Sequence, residues 1–330
     1  MRQIRSAAGR RMGDDCLMTQ TAQQPSRGDY APGALVIGES LIDVVGDARY
    51  AGGSPMNVAV GLGRLGRTVE LATWFARDDD GALLAKHLRE SRVEVMPGSD
   101  GASHTSTAQV RFDGAGSASY AFNLEWRLPT GFVDDTSAPL PLVVHTGSIA
   151  AFLQPGAVGV ATVIERLTGR TTVSFDVNIR PQIIGPLDEM RPLAERLVGL
   201  ADIVKASDED LEWLYPGVPP IASARRWADG ASSIVVLTKG ADGVTAITAG
   251  GEIDVPAPAV QVADTVGAGD AFMAGLLHAL WGAGLLGANS TALRDIDETT
   301  LRHALDVATR VAAITLSRPG ADPPTIEELG

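Results

Sequence analysis

The stretch DTVGAGDAFMAGLL, residues 264–277, combines residue types that could carry out a reaction. Glycines at 267 and 269 free the backbone for conformations a side chain forbids and let a ligand come close. An apolar helical pattern follows from Asp270 to about Gly284. A tight turn entering a helix aims N–H groups and the positive dipole end at one point. That point suits a phosphate. A carboxylate beside it would repel the phosphate, unless Asp270 takes a proton from a hydroxyl that attacks that same phosphate. The plainer alternative is an Asp N-cap on a buried helix.

Further candidates lie upstream. ESLIDVVG sets Glu39 and Asp43 in an apolar stretch. A carboxylate there needs a partner or a ligand. Asp43 is read either as a turn residue or as an acceptor for sugar hydroxyls. In AGGSPMNVAVGLGRLG, Gly52 and Gly53 open the backbone to a ligand, Pro55 suits a first helical turn, and Asn57 is a cap or a ligand contact. Gly61, Gly63 and Gly66 spell GxGxxG, but they end a helical pattern instead of following a strand. A dinucleotide site is therefore rejected in favour of close helix packing, with Gly66 as the stop, and an NAD-dependent dehydrogenase falls with it. FDVNIRP places Asp176, Asn178 and Arg180 at alternate positions at a strand end, so they are expected on one side. Asp208, Glu209 and Asp210 follow a Ser207 cap, where they suit the helix dipole or a Mg²⁺ held through water. GxxxxGK[ST] does not occur, so phosphates are not held in the P-loop manner.

The elements that must position these residues are strands and helices in alternation. The strands are continuous apolar runs, which means a parallel sheet covered on both faces. Residues 105–112 and 118–124 alternate around DGAGS and predict a hairpin, an appended flap on the main sheet. Arg111, Phe122 and Asn123 on it are candidate pocket walls. The net charge of −13 argues against nucleic acid or an anionic membrane as partner. Cys16 is the sole cysteine, so a reducing cytoplasm is the expected compartment. No apolar run approaches the ~20 residues of a membrane span. Residues 1–31 read as a disordered extension, with Met18 as a second place to start, and residues 32–330 as the domain.

Taken together, AGGSPMNVAVGLGRLG and DTVGAGDAFMAGLL resemble the two signatures of the ribokinase-like (PfkB) carbohydrate kinases. VLTKGADG, KASDEDLEWL and ITLSRPGA are similar to the nucleotide-side segments of that family, and GESLIDVV with FDVNIRP to its fructokinase branch. The likeness covers roughly residues 33–324. It implies a doubly wound, mostly parallel α/β sheet with a small β-sheet lid, from about 45–52 and 104–125, and transfer of the γ-phosphoryl of ATP to a sugar. Asp270 would be the base and the amides of Gly267, Ala268 and Gly269 the anion hole. Asp43, Gly52, Gly53, Asn57, Asn178 and Arg180 would hold the sugar. Thr238, Gly240 and Thr309 would line the nucleotide pocket. Asp210 would serve Mg²⁺, and Asp264 with the Ser317–Gly320 turn would hold a monovalent cation such as K⁺, as in some relatives. Two departures stand out: Ser207 and Asp210 replace the Asn and Glu of the family's NxxE segment, and Thr309 replaces an Asn near the adenine. The expected substrate is fructose or a related ketose. The alternatives are 2-keto-3-deoxygluconate, a nucleoside, or a sugar-sensing protein without transfer. A lid with an open edge also implies a homodimer.

Overall fold

The computed structural model describes residues 33–112, 118–129, 139–230, 232–288 and 290–330. The expectations for residues 1–31, Cys16 and Met18 lie outside the described residues, as does the side chain of Arg111. In chain order the strands are β1 (Ala34–Ile37), β2 (Leu41–Val45), β3 (Ala48–Gly52), β4 (Val69–Ala72), β5 (Val93–Val95), β6 (Thr107–Phe112), β7 (Ala118–Asn123), β8 (Val143–Gly147), β9 (Thr172–Asp176), β10 (Ile203–Ser207), β11 (Ile234–Thr238), β12 (Val244–Thr248) and β13 (Gly251–Val255). Nine of them form one sheet in the order β13-β12-β11-β10-β9-β8-β1-β4-β5. From β11 to β5 all neighbours are parallel; the short turn after Thr238 makes β12 antiparallel, and β13 pairs antiparallel with it.

Val and Ile fill both faces of the parallel strands, so each face needs a cover. On one side Val36, Val143, Ile203 and Val236 pack under the helices Ser54–Arg64, Ala268–Gly282 and Glu298–Leu316. On the other Leu35, Val144, Phe175, Val204 and Val235 meet Gly156–Leu167, Leu187–Val198, Asp208–Leu214 and Pro220–Ala228. The chain runs outward from β1 to β4 and β5, then returns to β8 on the other side of β1 and runs on to β11. The strand order therefore reverses at β1 and β8, where open sheets of this kind form a crevice at the strand C-terminal ends.

The glycines of the rejected GxGxxG string bring helices together. A Cβ on Gly61 would stand 2.6 Å from the Cβ of Ala274, and one on Gly63 would lie 2.2 Å from the Ser91 carbonyl oxygen. Gly66 takes a positive φ of 78° just beyond the helix end.

The second sheet has the order β3-β2-β6-β7, and its strand β2 follows directly on the C-terminal end of β1. It contains the whole of β2, so it begins at Leu41 and not near residue 45 as expected. One other expectation changes. β9 ends at Asp176, and Asn178 turns the chain with φ 39°, so Asp176, Asn178 and Arg180 do not continue one alternating strand. Asn tolerates this left-handed region better than most residues. Beyond β13, which ends at Val255, residues 256–267 reach the glycine turn without a strand. Among the described residues no helix is long and apolar enough to cross a membrane.

Candidate active site

Gly267 adopts the left-handed conformation (φ 73°) and precedes the helix Ala268–Gly282 with no side-chain cap. A side chain there would be strained and would also meet Ala321, 2.5 Å away. The Ala268 N–H makes a long 3.4 Å bond to the Thr265 carbonyl; among the described residues the N–H groups of Gly267 and Gly269 find no acceptor. Gly269 is exposed, and Gly267 and Ala268 are half-buried. The turn thus offers free donors on a helix dipole to whatever enters the crevice.

Gly269 corrects one expectation. It lies inside the helix and is not among the positive-φ glycines. Its missing side chain makes room: a Cβ there would stand 3.3 Å from Lys205 Nζ.

Asp270 is 7 % exposed and does not cap its own helix. The Ser54 hydroxyl donates to its Oδ1 at 2.7 Å, and the Asn57 amide nitrogen donates to Oδ2 at 2.8 Å. Asn178 Nδ2 in turn donates to Ser54 Oγ at 2.7 Å. Gly53 (φ 113°) and Pro55 start the helix Ser54–Arg64, and the i, i+3 spacing puts Ser54 and Asn57 on one face. Asn57 and Asn178, expected as sugar ligands, therefore hold the carboxylate and its hydroxyl partner. Burial raises the Asp270 carboxyl above its usual range, while the Asn57 and Ser54 bonds and the charges of Lys205 and Arg180 draw it back.

Asp43 accepts no hydrogen bond among the described residues. Burial pushes it up to about 6, against the charge of Arg180. Gly52 clears its path, since a Cβ there would lie 2.4 Å from Asp43 Oδ2. Arg180 is exposed, donates to the Ile179 carbonyl at 3.0 Å, and acts electrostatically on Glu39, Asp43 and Asp270 together. Below them Glu39 is 5 % exposed: Oε2 accepts from the Ala150 N–H at 2.9 Å, and Oε1 has no partner. Burial pushes Glu39 up to about 8, with its backbone bonds opposing. Phe122 joins Leu41, Ala108 and Ile149 in a small apolar cluster between the two sheets, and Asn123 is exposed.

On the far side of the turn, Thr238 ends β11, with its hydroxyl 3.5 Å from the Ala206 carbonyl, and Gly240 follows with φ 52°. Thr309 donates its hydroxyl to the Leu305 carbonyl of its own helix at 2.7 Å. Asp210 closes a capping box. Its Oδ2 accepts from Ser207 N–H at 2.8 Å and its Oδ1 from Ile179 N–H at 2.7 Å, so both oxygens serve the main chain. Of the two readings of this acid, the structure provides the cap. Both its oxygens are engaged by main-chain donors, and among the described residues no group of three or more His, Cys, Asp or Glu is placed to hold a metal. Asp264 ties the glycine turn to the C-terminal loop by accepting from Val266 N–H at 3.1 Å and Gly320 N–H at 2.9 Å. Those bonds hold its carboxyl below the usual range.

Sequence reasoning missed Ser54 and Lys205. Ser54 gives little signal, being a polar residue at a helix start. Lys205 gives more, since it interrupts the apolar run IVKAS. Its Nζ lies 2.9 Å from both carboxylate oxygens of Asp176, and both residues are buried. Burial works against the ammonium, but Asp176, Asp210 and Asp270 outweigh it and keep it protonated.

Comparison with known proteins agrees with this geometry. A fructokinase of Rhizobium leguminosarum bv. trifolii is 34 % identical over 287 residues, covering 82 % of this chain and 86 % of that protein. The crystal structure of a fructokinase with bound ATP from Xylella fastidiosa superposes with a TM-score of 0.77 at 27 % identity, covering 90 % of this chain and 96 % of that one. Aminoimidazole riboside kinase from Salmonella enterica, complexed with aminoimidazole riboside and an ATP analog, gives 0.71 at 26 % identity, covering 90 % and 98 %. The model of the pfkB family carbohydrate kinases matches residues 33–328, and the chain belongs to that family of sugar phosphotransferases.

Proposed function

We propose that this carbohydrate kinase is an ATP-dependent fructokinase, acting on fructose or a closely related ketose. The observation that carries the transfer is the placement of Asp270, clamped by Ser54 and Asn57, next to the open amides of the Gly267–Gly269 turn. A sugar hydroxyl gives its proton to Asp270, its oxygen bonds to the γ-phosphorus of ATP, and the bond to the β-phosphate oxygen breaks to leave ADP. The amides bear the charge on the phosphoryl oxygens during that passage. Asp43, whose carboxylate has no hydrogen-bond partner among the described residues, accepts from sugar hydroxyls, and the charge of Arg180 acts on Glu39, Asp43 and Asp270. Thr238 and Gly240 stand where the nucleotide would lie. Magnesium would arrive on the nucleotide phosphates, as that ion usually does, and not in an all-protein cage. The small sheet acts as the lid that keeps water from the phosphoryl group. The fructokinase names of the relatives favour the ketose over a nucleoside or 2-keto-3-deoxygluconate. The test is ADP release with ATP and Mg²⁺ over a panel of fructose, other sugars, 2-keto-3-deoxygluconate and nucleosides. Fructose should give the highest kcat/KM. A nucleoside in first place would replace the substrate, and no turnover with any acceptor would favour the sugar-sensing alternative.

A further inference from the structure

Asp176 ends β9, and Lys205, in the middle of the neighbouring strand β10, pairs with it in register. Both are buried, at 4 % and 0 % exposure, and the ammonium contacts both carboxylate oxygens at 2.9 Å. A buried ion pair is weak evidence of a stabilising role, because desolvation offsets most of the attraction. This one also has an unusual position. Its Nζ lies 3.3 Å from where a Cβ on residue 269 would stand, a tight contact that the glycine there relieves. An ammonium has three donors. Asp176 takes two of them, and among the described residues the third has no acceptor.

We propose that Lys205 is a positioning residue of phosphoryl transfer: anchored by Asp176, it fixes a positive charge under the glycine turn that favours negative charge there, on Asp270 and on the arriving phosphoryl group. Asp176 sets where that charge sits, and Gly269 allows it to come close to the turn. The proposal rests on the sugar-kinase reading and assigns that site a second source of positive potential behind the amides. The charge of Lys205 draws the Asp270 carboxyl downward, against the burial that raises it.

The test uses the full chain with Lys205→Met, and with Lys205→Met combined with Asp176→Asn, which leaves no unpaired buried charge. Thermal unfolding first establishes that each variant folds. In a folded variant kcat should fall at least ~10-fold, with the KM for the sugar within about threefold, and the acid limb of kcat should move up by roughly one pH unit, the scale of a nearby charge. Carbon-detected NMR of ¹³C-labelled aspartate follows the Asp270 titration without turnover. It should show the same upward move, and it separates a failure of this idea from a failure of the kinase reading. A folded double variant with the acid limb and the Asp270 titration of the wild type overturns the proposal. So does a failure of both variants to fold, which would make the pair a core support.

Discussion

Asp270 has both oxygens occupied by donors, so its direction is fixed before any substrate arrives. Replacing it with Asn keeps the shape and the helix but removes the proton acceptor. Asp270→Asn should lower kcat at least ~10²-fold with an unchanged unfolding midpoint. Ser54→Ala removes one donor and strands the Asn178 amide; a loss of roughly 10- to 100-fold in kcat is expected from misplacement alone, read from steady-state rates. Glu39 allows a test of stability. Its folded value, about 8, lies above its ordinary 4.5, so between those limits the folded chain holds a proton that the unfolded chain has released. The contribution is intact below 4.5 and is lost as the pH rises through 8. Glu39→Gln imitates the protonated form, so urea unfolding should show weaker pH dependence in that window and higher stability near pH 8. The sequence exposed Asp270, because a carboxylate beside a glycine turn is chemically out of place. It hid Ser54, whose role depends on a contact across 216 positions.

At the scale of elements, the alternation of apolar runs and helical patterns was enough to read the doubly wound sheet, since buried parallel strands have few other sequence solutions. The signatures placed the turn and the helix Ser54–Arg64 for the same reason. What remained unread was the way these pieces meet. Asn57 reads equally well as a cap or a ligand contact until the helix Ala268–Gly282 is laid against it. Alternation alone sets Arg180 and Asn178 on one strand, whereas the chain turns at Asn178. Gly61 gives a direct test of that meeting. Gly61→Val should push against Ala274 and cost about 1–3 kcal/mol in denaturant unfolding, the usual range for overpacking. Catalysis should suffer as well, because the same pair of helices aligns Ser54 and Asn57 with Asp270.

For the whole molecule, the small sheet is tied to the body at its base. Asp78 accepts from the Thr105 N–H and hydroxyl, and Glu125 accepts from Trp74 and Ser103. Val45 and Tyr50 remain exposed, and the strand register puts them on the same face as Asp43. A second copy covering that apolar surface would account for them, and light scattering should then report a dimer that Tyr50→Glu weakens. A monomer at tens of micromolar would set that expectation aside. The site itself joins distant parts of the chain: Ser54 and Asn57 reach Asp270 across 216 and 213 positions. During synthesis the chain up to Thr238 can build β1 to β11 while the proton acceptor is still unmade. Contacts this remote in sequence form late and slowly. Recovery of turnover after dilution from denaturant should therefore lag behind recovery of helical signal, and enzymatic activity becomes a measure of whether the last segment has docked.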